Sequence, residues 1–411
     1  MPITPRKPAA RPTSEVVFPK EWTRFFDELA TSYVKSTYAP DPRWAHKPFG
    51  REDVGFFSKG IRQLSELFTD GRPHQLPDYF RDPKNRSSYL LYFLPLQAAK
   101  IYALVTSRPL AMQALAAHAE TQGRLVLWDL GAGPATASIG TLLALVSNPS
   151  IRARIQKLPI EVHLWDINAK ILEDGAQLLL LLCDALRFAV PEIHTHVRPW
   201  RQSLTQPGKA SDSRPGLILM GHVLNEEKSH RTHTAAPGSP GDPLLLSPWI
   251  ERISHSKKGE GAGILIVEPA FKRSSQLLSA VRDAALESGA VPSNASAFWG
   301  PCPHGGRCPL SRGKDWCHFS VRAPVPGKWF KELSRLLSEE REWLKYSYLW
   351  ISAPTAPAPL PETGMKLVIS DSLMRRGSRE AMHLLCAPEQ PIRIKIAAAR
   401  NRLHRGDWFR K

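Results

Sequence analysis

Residues 125–140 read LVLWDLGAGPATASIG. An apolar run ends in an acid, two glycines follow one residue apart, and small residues then open a helix. Strand, turn and helix in that order form a cofactor turn. Gly131 and Gly133 permit a tight backbone path, and without side chains they let the main chain approach a ligand closely. Asp129 stands where it either orients the loop or meets the cationic end of an amino-acid-bearing cofactor. A dinucleotide fingerprint wants a third glycine at position 136, where Thr136 stands, so NAD is disfavoured.

Working outward, EVHLWDI forms a second apolar run ending in Asp166. A carboxylate there offers paired acceptors for the two hydroxyls of a ribose. Together the two motifs favour S-adenosylmethionine, held by Asp129, Gly131, Gly133 and Asp166. Further apolar runs, LILMGHV and ILIVEPA, alternate with helical stretches. Such alternation predicts α/β architecture: a Rossmann-like parallel sheet with crossover helices, placed over 122–300. The third run leads into His222, Asn225 and Glu226, at the carboxyl edge where open α/β sheets bind ligands. They are the candidates for a catalytic role, with Glu268 in a similar edge position. No Asn-Pro-Pro-aromatic tetrapeptide for an amino-group acceptor is present, nor a loop cysteine suited to attack a pyrimidine ring.

Upstream, 19–121 reads as a helical amino-terminal domain: Trp22, Phe25, Phe26 and Leu29 share one helical face, as do Ile61, Leu64, Leu67 and Phe68. Pro95 within SSYLLYFLPLQAAKIYALV predicts a kinked or broken helix. Residues 1–18 read as a disordered basic arm of a cytoplasmic protein. Segments 203–215 and 228–243 read as polar loops, and His230 and His233 there could bind metal, although composition favours a solvated loop. At 42% hydrophobic residues the chain can build a large core, and no apolar run approaches the roughly 20 residues of a membrane span. Its formal charge of +17 attracts polyanions, nucleic acid first among them.

Residues 300–319 read GPCPHGGRCPLSRGKDWCHF. Cys302, Cys308 and Cys317 lie in a segment that glycine and proline bend, so several sulfurs can converge, and Cys386, ending AMHLLCA, can supply a fourth. Four thiolates suit zinc or an iron–sulfur cluster. The gaps exceed the two to four residues of a zinc knuckle and Cys-Pro occurs twice, which leans towards a cluster. Residues 301–411 are therefore expected to form a four-cysteine metal module with short β-strands and a basic tail. His304 and His318 flank it as neighbours or RNA contacts. Cys183, closing a leucine-rich helix, reads as a buried apolar residue.

LWDLGAGPATAS, GHVLNE, VEPAF, PCPHGGRCPL with KDWCHF, and AAARNRLHRGDW together resemble the Rsm twenty-two type methyltransferase-like proteins of mitochondrial and bacterial small-ribosomal-subunit assembly. The resemblance covers most of the chain. It implies a class I methyltransferase fold, S-adenosylmethionine at the glycine loop, and a [4Fe-4S] cluster on Cys302, Cys308, Cys317 and Cys386. It also implies association with small-subunit rRNA, in the bacterial cytoplasm or the mitochondrial matrix. Two functions fit: an rRNA methyltransferase, or a catalytically inactive assembly factor that binds immature rRNA. The chain is expected to be monomeric and to have no membrane partner.

Overall fold

The computed structural model describes residues 16–68, 79–198, 214–224, 263–287 and, with short interruptions, 289–410. The arm at 1–15, the loops at 203–213 and 228–243, Asn225 and Glu226 lie outside the described residues.

The central sheet begins with β1 (Leu125–Leu130), β2 (Ile160–Asp166), β3 (Pro191–Val197), β4 (Leu217–Gly221) and β5 (Gly263–Glu268). These five pair in parallel in the order β3-β2-β1-β4-β5. The order turns around β1, which lies between β2 and β4, and the carboxyl ends of strands at such a switch point are where open α/β sheets form their ligand crevice. Side chains alternate with period two. Leu125, Leu127, Val162, Leu164, Leu219 and Val267 enter one core, whereas Leu130, Trp165, Met220 and Ile266 enter a second on the opposite face. Burial on both sides explains the nearly continuous apolar runs.

The sheet continues across position 300. β6 (Phe298–Gly300) and β7 (Phe319–Arg322) both pair antiparallel with β8 (Trp343–Ile351), and β8 pairs antiparallel with β5. Chain after 300 thus completes the eight-stranded sheet, and among the described residues two small antiparallel pairs stand apart from it. These are β9 (Met365–Leu367) with β12 (Trp408–Arg410), and β10 (Glu380–Leu385) with β11 (Ile392–Ala397). The parallel-dominated α/β architecture fits a class I methyltransferase fold.

The nine longer helical segments among the described residues surround the sheet. They are α1 (20–38, with a π-helical middle), α2 (Arg51–Phe68), α3 (Pro83–Thr106), α4 (Pro109–Gln122), α5 (Thr136–Ser147), α6 (Pro149–Ile155), α7 (Ala169–Leu186), α8 (Lys272–Glu287) and α9 (Lys328–Leu336). The amino-terminal helices share one hydrophobic core with α5, α7 and the sheet, running from Trp22 through Leu104 and Leu142 to Leu182. Polar ties reinforce it. Tyr33 and Tyr38 each donate to Asp174 on α7 at 2.6 Å, and Arg152 on α6 meets Glu21 at 2.9 Å. Burial among these groups raises Asp174 above the usual carboxylate range.

α3 is continuous, and it accommodates Pro95 through a π-helical turn at Tyr89–Phe93. Proline lacks the amide hydrogen that the previous turn's carbonyl needs, and a widened turn absorbs the mismatch without breaking the helix. By length and composition α3 is the described helix long and apolar enough to cross a membrane. Most of its apolar stretch is buried in the shared core, between α5 and the other amino-terminal helices, which accounts for its hydropathy.

Candidate functional site

The loop joining β1 to α5 is built by left-handed backbone. Gly131 has φ +64°, Gly133 +50° and Ala135 +59°. At Gly131 a Cβ would come within 2.5 Å of Val223 Cγ2, so the loop packs directly on the segment that follows β4. At Gly133 a Cβ would meet only the Phe80 ring at 3.6 Å. On α7, Gly175 lets the helix approach the backbone of Pro134, where a Cβ would lie at 2.8 Å.

Two aspartates shape this loop. Asp129 is buried; its Oδ2 accepts from the Ser138 amide at 3.0 Å and the Ser138 hydroxyl at 2.8 Å, in the first turn of α5. Burial pushes its pKa up to about 7, against the lowering effect of the Ser138 hydrogen bonds. That geometry orients the loop from inside. Asp166, half-buried at the end of β2, accepts from the Gly133 amide at 2.9 Å through Oδ2 and from the Asn168 amide at 3.0 Å through Oδ1. These bonds tie Asp166 to the glycine loop and to the start of α7.

After β4, His222 adopts φ +63°, uncommon for a residue with a side chain, and its amide donates to Val267 O at 2.8 Å. Glu268 is fully buried and accepts from the Leu224 amide at 2.9 Å. The glutamate therefore secures the loop after β4. Of the strand-end set, His222 is at the crevice edge, whereas Asn225 and Glu226 fall outside the described residues.

The cysteines come together around a second cavity, lined by Cys302, Cys308, Cys317 and Cys386 with Ser279, Arg282, Pro301, Leu310, Tyr348 and Ile369. Each is placed by a different element. Cys302 follows β6, and Cys317 precedes β7, with its carbonyl accepting from Ser347 of β8 at 3.0 Å. Cys308 is set by its amide, which donates to the Asp283 carboxylate at 3.0 and 3.2 Å. Cys386 leaves β10, and its amide donates to Leu367 O at 2.8 Å. His304 Nε2 lies 3.4 Å from Cys386 Sγ, while His318 stacks on Trp316. Burial pushes the Cys302 thiol up to about 11 and holds Cys317 and Cys386 well above the usual thiol range, the neighbouring cysteines adding to the effect. Four thiols gathered in one cavity make a donor set that suits a soft metal.

Sequence reading did not single out the residues of α8 that support this cavity. Ser275, Ser279 and Arg282 are buried polar residues at helical spacing, with Asp283 alongside. Ser279 Oγ lies 3.3 Å from Cys308 Sγ. The available signal was polar side chains at i, i+4 and i+7 next to the apolar face Leu278, Val281 and Ala285. Read alone, such a stripe is indistinguishable from a solvated face. Cys183, by contrast, is fully buried in α7 among leucines, with its thiol raised by burial to about 12.

Among the described residues, one set of three metal-binding side chains has all its ligand atoms within 4.8 Å of one another: Glu161, His163 and His194, on β2 and β3. His163 is already engaged, with Nε2 2.6 Å from Glu161 and Nδ1 2.9 Å from His196, and its ring stacks on His194. Stacked rings do not converge on one ion, so this is a hydrogen-bonded network on the sheet face.

Residues 250–411 match the family described as mitochondrial small ribosomal subunit Rsm22. That stretch carries α8, all four clustered cysteines and the final strands. No curated protein matches the chain. Among solved structures, the mitomycin 7-O-methyltransferase MmcR aligns at 15% identity over 58% of this chain and 57% of its own length, with TM-score 0.25. An O-methyltransferase family protein from Burkholderia thailandensis aligns at 11% identity over 58% and 68%, with TM-score 0.33. The rRNA methyltransferase aviRa from Streptomyces viridochromogenes aligns at 16% over 35% and 65%, with TM-score 0.22. The match thus spans little more than half of MmcR.

Proposed function

We propose that this Rsm22-type methyltransferase-like chain binds S-adenosylmethionine in the β1–β4 crevice and a metal group on Cys302, Cys308, Cys317 and Cys386, and acts on small-subunit rRNA during ribosome assembly. The observation that carries the proposal is the convergence of four cysteines from four separate elements on one cavity, in the part of the chain that bears the family's sequence. The match to a small-ribosomal-subunit family supports the ribosomal partner, and the charge of +17 supports a polyanionic one.

The metal group we favour is a [4Fe-4S] cluster. The gaps between Cys302, Cys308 and Cys317 exceed those of a zinc knuckle and Cys-Pro occurs twice, which favours the larger inorganic core, with zinc as the alternative.

In the crevice, S-adenosylmethionine supplies a sulfonium-bound methyl group for direct displacement by a nucleophile. Gly131 and Gly133 allow the backbone to line the pocket, Asp166 holds that loop and offers acceptors for a ribose, and Asp129 fixes the start of α5. Alignment of donor and acceptor is then the protein's main contribution.

Anaerobic purification with iron, sulfide and zinc analysis tests the metal group, and calorimetry with S-adenosylmethionine tests the crevice. Iron and sulfide in equal amounts, lost in a Cys386→Ser variant, are expected; zinc without sulfide would replace the cluster by a zinc site. A His222→Ala variant that loses an rRNA methyl mark while keeping ribosome association would identify an enzyme, and a wild-type protein leaving no mark would identify an assembly factor.

A further inference from the structure

We propose that Arg282 is the built-in counter-cation and hydrogen-bond donor of the four-cysteine metal group, retaining the metal and setting the group's electron affinity. The inference rests on the reading that the cysteines bind a metal; retention of the metal applies to a cluster or to zinc, and the electron affinity to a cluster alone.

Arg282 is 1% exposed, on the buried polar stripe of α8. A guanidinium is charged at any physiological pH, and burying one without compensation is costly. Its known partners compensate only in part. Nη1 pairs with Asp283 at 2.7 Å, Nη2 donates to the His304 carbonyl at 2.6 Å, and Phe298 lies beneath the guanidinium with its ring centre at 5.0 Å. Asp283 is shared, because it also receives the Cys308 amide. Nε is buried and has no hydrogen-bond partner among the described residues. Arg282 lines the cysteine cavity together with Cys302, Cys308, Cys317 and Cys386.

Charge arithmetic explains why a cation belongs there. Four thiolates around a dication leave two negative charges, whether the dication is zinc or an oxidised cubane core. In a half-buried pocket such an excess needs a partner, and Arg282 is the fully buried cation that lines this one. Its fork also fixes geometry: through Asp283 it is coupled to the Cys308 loop, and through the His304 carbonyl to the loop between Cys302 and Cys308. Adding an electron deepens the negative charge, so a neighbouring cation favours the reduced form.

The test uses the full-length, metal-loaded protein with Arg282→Gln and Arg282→Lys variants. Metal loss to a chelator is followed at fixed pH, and a redox titration is added if iron and sulfide are present. Arg282→Gln is expected to lose metal 10–100-fold faster. It should also lower the reduced-to-oxidised ratio at a given potential about tenfold, 59 mV for a one-electron couple. Arg282→Lys keeps the charge without the fork and should recover much of the potential but less of the retention. It also serves as the folded comparison if the glutamine variant does not accumulate. Wild-type retention and potential in Arg282→Gln would overturn the role of Arg282 while leaving the metal site intact, and wild-type retention in Arg282→Lys would overturn its hydrogen-bonding part. A wild-type protein without bound metal would overturn the metal site itself, and this inference with it.

Discussion

Replacing Gly131 and Gly133 separately by alanine tests how the cofactor loop is built, because the two glycines are required for different reasons. Both have positive φ, where an alanine costs about 1–2 kcal/mol. At Gly133 little else is added, since the nearest atom to a new Cβ is in the Phe80 ring at an ordinary 3.6 Å. At Gly131 the Cβ would sit 2.5 Å from Val223 Cγ2, and Val223 is itself buried. Relieving that overlap forces a shift worth about 1–3 kcal/mol. Gly131→Ala should therefore destabilise by about 2–5 kcal/mol, a large part of the 5–15 kcal/mol typical of a folded domain, and Gly133→Ala by about 1–2 kcal/mol. Equilibrium urea unfolding of each variant reads these differences as midpoint shifts at constant slope. Placing Gly131→Ala in a Val223→Ala background should make the combined loss smaller than the sum of the single losses, because the clashing methyl groups are gone. Strictly additive losses, or Gly133→Ala proving the worse of the two, would refute the argument. Calorimetry on the stable Gly133→Ala protein then measures how much close backbone approach matters to S-adenosylmethionine.

Asp129 gives a pH dependence with a definite sign. Its folded pKa is raised to about 7, so from the usual carboxylate range up to about 7 the folded chain holds a proton that the unfolded chain has released. Stability from this group falls as pH rises through that window, by about 1.4 kcal/mol per unit, and is level above it. Asp129→Asn mimics the protonated form and should flatten this part of the profile between pH 5 and pH 8 in urea midpoints; an unchanged slope relative to wild type would rule the assignment out. Asp166→Ala should weaken S-adenosylmethionine by about tenfold or more, since it removes both the Gly133 tether and a ribose acceptor, while metal content stays at the wild-type level; equal calorimetric affinity would reject it.

How much was readable beforehand depended on how local each interaction is. The glycine loop was legible because Asp129, Gly131, Gly133 and the start of α5 lie within one turn of chain, where backbone sterics and helix chemistry act on neighbours. Cys302, Cys308 and Cys317 were legible for the same reason. Pro95 was over-read: the missing amide was visible, but the π-helical turn that absorbs it required the packing of α3 against its surroundings. The helical amino-terminal segment was visible as amphipathic periodicity, yet periodicity says that a face is buried and not against what. Only the folded chain brings it into one core with α5 and α7, through Tyr33, Tyr38 and Asp174.

The sequence by itself determined the parallel strand–helix alternation and the glycine turn, because these follow from side-chain period and allowed backbone angles over a few residues. The tertiary structure decided three things that no local pattern encodes: that β8 enters the sheet antiparallel beside β5, that Cys386 reaches the other three cysteines, and that Arg282 lies among them. Each is a contact between residues far apart in the chain. Such contacts are selected by which buried faces and unpaired groups can satisfy one another at once, and that is settled only when the whole core closes.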